Sequence, residues 1–98
     1  MPKYTLSPKA LNHIQNIWDF IAADNQDAAD RIVDELFAAF ERLAEWPGIG
    51  HTRSDLTQVD VRFWTVRSYL IVYREKPLPV QIVAILHGAR DIPSIIGI

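Results

Sequence analysis

The chain contains no cysteine, which excludes disulfide scaffolds, thiol nucleophiles and cysteine-based zinc sites. Lysine is scarce, present only as Lys3, Lys9 and Lys76. The net charge is −2 and the pI about 5.8. A direct phosphate binder usually shows a domain pI above about 9, so nucleic acid is not the expected primary partner. Long apolar runs are also missing. Val80 to Leu86, interrupted by Gln81, falls far short of the roughly 20 residues that a membrane-spanning helix requires. The opening MPKYTLSPKA has no apolar stretch of signal-peptide length. A soluble, cytoplasmic protein is expected. His13, His51 and His87 lack metal-ligand spacing, so neither a metal nor another cofactor is expected, and His13 and His51 read as solvated.

What is present is enough for one modest core. Ninety-eight residues make a single expected domain spanning 1–98. Lys3 to Leu6 reads as a short edge strand. Ser7-Pro8 then signals a helix: a serine hydroxyl can accept from first-turn amides, and proline at the first helical position loses no hydrogen bond. Leu11, Ile14, Trp18 and Ile21 give that helix one apolar stripe, with Ile17 beside it, and Asp24-Asn25 ends it.

A second helix follows from the periodic Ala29, Ile32, Val33, Leu36, Phe40 and Leu43, with Asp27 and Asp30 in its opening turn and Pro47-Gly48 as its stop. The short link implies an antiparallel helical hairpin. Residues 48–60 read as loop. Val61–Val66, Tyr69–Glu75 and Val80–His87 read as strands, the last apolar on both faces and therefore central. The tail carries Ile92, Ile95, Ile96 and Ile98, too apolar for a free solvated end. Strands clustered after helices indicate an α+β fold: a short N-terminal strand, an antiparallel helical hairpin, then a three-stranded antiparallel sheet.

The near-neutral total conceals two unlike halves. Residues 1–47 hold four cations against eight carboxylates, whereas residues 48–98 hold six cations against four. The stretch VRFWTVRSYLIVYR concentrates Arg62, Arg67 and Arg74 among aromatic residues. Alternation puts Arg62, Trp64 and Val66 on one face of the first strand and Leu70, Val72 and Arg74 on one face of the second. Mixed arginine and aromatic surfaces are common in protein interfaces. Pairing with the carboxylates of the acidic half would account equally well for any single arginine, at about 0–1 kcal/mol per exposed pair.

Four stretches carry a family resemblance: LSPKALNHIQNIWDFIA, LAEWPGIGHTR, VRFWTVRSYLIVYR and VQIVAILHGARD. Over essentially its full length the chain is similar to the ParE/RelE superfamily of bacterial type II toxins. The apolar strand running into His87-Gly88-Ala89-Arg90-Asp91 resembles the ParE branch in particular. The resemblance implies a plasmid-stabilising or growth-arresting toxin held silent by a cognate antitoxin in a hetero-oligomer, with DNA gyrase as the target. The RelE branch implies instead a ribosome-dependent endoribonuclease, and an inactive relative that only binds antitoxin is a third reading.

Metal-independent RNA cleavage needs a proton acceptor, a cation for the phosphorane and an acid. Arg62, Arg67 and His87 could serve as cations and acid, whereas Glu45, Asp55 and Asp60 are candidate bases that no spacing singles out. A lone strand-end histidine more often bonds a carbonyl or a nearby carboxylate such as Asp91. The expectation is therefore non-enzymatic target docking through Arg53, Arg62, Trp64, Arg67, Arg74 and Arg90. Antitoxin is expected on the outer hairpin, through Trp18, Phe20, Phe37 and Trp46, or at a sheet edge. Phe20 and Phe37 stand off the apolar stripes and are the preferred contacts.

Overall fold

The computed structural model describes residues 3–55 and 57–87. Strand β1 (Tyr4–Leu6) leads into helix α1 (Pro8–Ala22), and helix α2 (Gln26–Glu45) returns antiparallel to it. A 3-10 turn, Pro47–Ile49, follows, and then strands β2 (Arg62–Val66), β3 (Tyr69–Arg74) and β4 (Val80–His87).

Local chemistry sets the helix starts. The Ser7 hydroxyl accepts from Ala10 N at 3.0 Å, and the same oxygen donates to Val83 O at 2.7 Å, so this cap also ties α1 to β4. Asn25 Oδ1 accepts from Ala28 N at 3.0 Å and caps α2. Trp18 Nε1 donates to Asp30 Oδ1 at 2.9 Å across the hairpin.

The sheet has four strands in the order β1-β4-β3-β2. The expected three-stranded antiparallel sheet is present, and β1 extends it. β1 runs parallel to β4, pairing Tyr4 with Val80 and Leu6 with Ile82. The helical hairpin supplies the crossover that parallel pairing requires. β4 is central, in keeping with its apolar sequence.

One face of the sheet packs on the hairpin. Leu36, Phe40 and Leu43 of α2 meet Ile71, Tyr73, Val80 and Ile82, all fully buried. Tyr4 and Phe37 ring the same core, each against Phe40, at centroid separations of 5.6 and 5.3 Å. Val61, Phe63, Val72, Ala84 and Leu86 form a second cluster. A bulge at Val72/Tyr73, opposite Val83, shifts the β4 register between the two faces.

Candidate functional site

Cross-strand register decides which candidate residues can act together. β2 pairs Arg62 with Tyr73, Trp64 with Ile71 and Val66 with Tyr69, so Arg62 and Trp64 lie on the helix side. Leu70 and Val72 belong to the opposite face, and alternation places Arg74 there too. The expected set Arg53, Arg62, Trp64, Arg67, Arg74 therefore does not form one docking face. Arg90 lies outside the described residues.

The arginines also differ in freedom. Arg62 is a structural clamp: Nε donates to Glu75 Oε1 at 2.8 Å and Nη1 to Gly50 O at 2.8 Å, with the pair about one-quarter exposed. Arg67 makes a two-pronged pair with Glu35 of α2, at 2.7 and 2.8 Å, from the hairpin turn, where its own φ is 54°. This guanidinium bond, first among the causes, holds the Glu35 carboxyl below its ordinary range. Arg53 forks onto Asp55 within its own loop, at 2.9 and 2.8 Å. Among the described residues Arg74 is exposed and in no ion pair.

Residues that sequence reasoning read as loop form the best-built part of the site. The buried Tyr73 hydroxyl donates to Pro47 O at 2.7 Å and accepts from Gly50 N at 2.9 Å. Burial pushes the phenol pKa up, so it stays protonated and able to donate. Phe63 and His51 exchange both backbone hydrogen bonds at 2.8 and 2.9 Å, which stitches the same segment to the outer edge of β2. Residues 47–51 are thus held by Tyr73, Arg62 and Phe63. They present exposed Trp46 beside an open groove of about 810 Å³ lined also by Ala38, Arg42, Ile49, His51 and half-buried Trp64. No sequence period marks this groove; the Trp-Pro-Gly helix stop was its one legible signal.

On the hairpin, Phe20 is 81% exposed and Trp46 60% exposed, whereas Trp18 is half-buried over Asp30. Phe37 does not stand free. It packs edge-on against Phe40 and joins the core, because its position lies close enough to the apolar face of α2 for a large ring to reach inward. His13 is likewise not solvated. Its Nδ1 accepts from Ile85 N at 3.1 Å, and burial, followed by the charge of Lys9, lowers its pKa.

The three residues of the nuclease reading do not converge. His87 pairs with Tyr69, which pairs with Val66, so it lies at the turn end of the sheet, its ring 5.1 Å from that of Tyr69. Arg62 begins β2 at the other end, four residues from Val66, or roughly 13 Å at about 3.3 Å per residue.

A short edge strand parallel to the last strand, a helical hairpin on one sheet face and a pinned aromatic segment after the second helix define a small α+β fold. The model of the family described as "ParE toxin of type II toxin-antitoxin system, parDE" matches residues 4–92, and the chain belongs to that family. It is 28% identical over 93 residues to the protein named "Putative toxin Y4kP" of Sinorhizobium fredii, covering 90% of each chain. The solved "Chromosomal ParDE TA system from P. aeruginosa" contains a chain of the same fold. The TM-score is 0.72 at 20% identity, covering 87% of this chain and 94% of that one. Among the described residues, no helix is long and apolar enough to cross a membrane.

Proposed function

We propose that this chain is a single-domain cytoplasmic toxin that inhibits DNA gyrase without catalysing a reaction and is neutralised by direct binding of a cognate antitoxin. The observation carrying this reading is the family match over residues 4–92. The geometry supports the non-enzymatic part: Arg62 and Arg67 are committed to Glu75 and Glu35, and His87 lies at the opposite end of the sheet from Arg62. Docking to the target uses Arg74 foremost, with the partly exposed Arg53–Asp55 and Arg67–Glu35 pairs at its margin.

Antitoxin covers exposed aromatic surface, with Phe20 and Trp46 as anchors and Trp18 at the edge of the contact. Trp64 is reached through the groove beside Trp46. Supercoiling by purified gyrase, with and without the protein, tests the reading: inhibition with trapped DNA breaks is expected. No inhibition, together with cleavage of ribosome-bound messenger RNA, would replace it with the nuclease reading.

A further inference from the structure

The outer edge of β4 is covered in two different ways. For Val80 to Ile82 the partner is β1. β1 then ends, and the chain turns into α1. Past that point the outward-facing groups of β4 are met by α1 and its cap: Ser7 N donates to Ile82 O at 3.0 Å, Ser7 Oγ donates to Val83 O at 2.7 Å, and Ile85 N donates to His13 Nδ1 at 3.1 Å. β3 pairs Ile71 with Ile85 and Leu70 with Leu86. The bonding of Val66 to Tyr69 in the two-residue hairpin leaves Leu70 and Leu86 as the pair that exchanges hydrogen bonds, and Ile85 N–H points away from β3. A helix side chain thus stands where a strand carbonyl would.

The acceptor in this arrangement is conditional. An imidazole nitrogen accepts a hydrogen bond only when it carries no proton, and an imidazolium has two donors and no acceptor. Ser7, the other tie, does not titrate. The remaining titratable groups on the two elements joined here are Lys9 and Asp19 of α1 and His87 of β4, and α1 has no acidic residue in its first turn. Partial burial of the ring disfavours a positive charge on His13, as does Lys9, one turn before it.

We propose that His13 is a proton-operated latch: neutral, it holds α1 over the second half of the β4 edge, and protonated, it lets go of that edge from Ile85 onward. Released, the edge offers a free backbone donor at the end of the central strand, next to the exposed His87. Such an edge is a site where another extended segment can add.

Amide exchange of the 15N-labelled full chain tests this. Expressed as protection factors at about pH 7.5 and about pH 5, Ile85 should lose protection by up to about 30-fold, the limit set by an ordinary histidine pKa near 6.5. Ile71, deep in β3, should lose less. His13→Asn places an amide oxygen where Nδ1 sits and cannot titrate, so its Ile85 protection should be flat with pH. His13→Leu should give low protection at both values. The ring nitrogens supply a readout that needs no variant: at neutral pH the proton should reside on Nε2. A proton on Nδ1, pH-independent protection of Ile85 in the wild type, or an Asn variant that follows the wild type would each overturn the latch.

Discussion

Replacing Tyr73 by Phe removes one oxygen and tests whether the segment carrying Trp46 is held as described. That oxygen accepts from Gly50 N at 2.9 Å and donates to Pro47 O at 2.7 Å, inside a ring with no solvent exposure. Gly50 is buried, so its N–H would be left without a partner, at about 1–3 kcal/mol. The Pro47 carbonyl is half-exposed and can turn to water, adding about 0.5–1 kcal/mol at most. The sum is about 1.5–4 kcal/mol. At about 4–8 °C per kcal/mol for a domain of this size, the melting temperature should fall by about 6–32 °C.

Arg62 holds the other side of Gly50 through its carbonyl at 2.8 Å, so Tyr73→Phe and Arg62→Met should be less than additive, with coupling of about 0.5–3 kcal/mol. Gly50→Ala attacks the same contact sterically, since a Cβ there would sit 2.7 Å from Tyr73 Cε1 and 2.9 Å from Cζ. Thermal melts and urea titrations of the three single variants and the double measure all of this. A Tyr73→Phe protein melting within about 3 °C of wild type, or strict additivity with Arg62→Met, would show that the hydroxyl does not organise residues 47–51.

The remaining predictions concern charge and surface. Exchanging the partners, Arg67→Glu with Glu35→Arg, should preserve the fold and the ion pair while inverting the charge at the turn; full growth arrest by that double variant would remove Arg67 from the docking surface. Arg74→Glu breaks no ion pair among the described residues, so it should melt like wild type yet weaken gyrase inhibition in a supercoiling assay. Phe20→Ser, at a position 81% exposed, should change stability by no more than about 0.5 kcal/mol while loosening antitoxin binding in calorimetry. Because Arg67 holds the Glu35 carboxyl below its ordinary value of 4.5, the stability that this pair contributes is complete above that value and is lost as pH falls through the lower folded-state pKa. Arg67→Ala should return the Glu35 titration, followed by carboxyl NMR, toward 4.5.

Much of the fold was legible because it rests on local periodicity. The apolar stripe of α2, the Ser7-Pro8 start of α1 and the doubly apolar β4 each state their element and their burial without reference to the rest of the chain. The parallel seat of β1 was not legible. Three residues carry no register information, and their partner lies more than seventy positions away. Phe37 shows the limit of face assignment: a stripe drawn on helical angles excludes it, yet a phenyl ring spans the difference and closes on Phe40.

The candidate site was less legible than the fold, for a related reason. An arginine in a strand reports charge but not the direction in which its long side chain turns. Arg62 folds back onto Glu75 and the Gly50 carbonyl, and Arg67 reaches 32 positions back to Glu35; both partners are set by how the sheet meets the hairpin. His13 is the sharper case, because a helical histidine without metal-ligand spacing reads as solvated until the strand beneath it is known to end its pairing with β1 at Ile82. In this chain several long polar side chains are spent internally: Arg62 and His13 complete backbone that the short elements leave unpaired, and Arg53 and Arg67 pair with carboxylates. Part of the surface left for recognition is aromatic, at Phe20 and Trp46, and part is cationic, at Arg74 and the hairpin tip. A partner that recognises the chain through Phe20 and Trp46 should accordingly bind with little dependence on salt, whereas one that relies on Arg74 and the hairpin tip should weaken steeply as ionic strength rises.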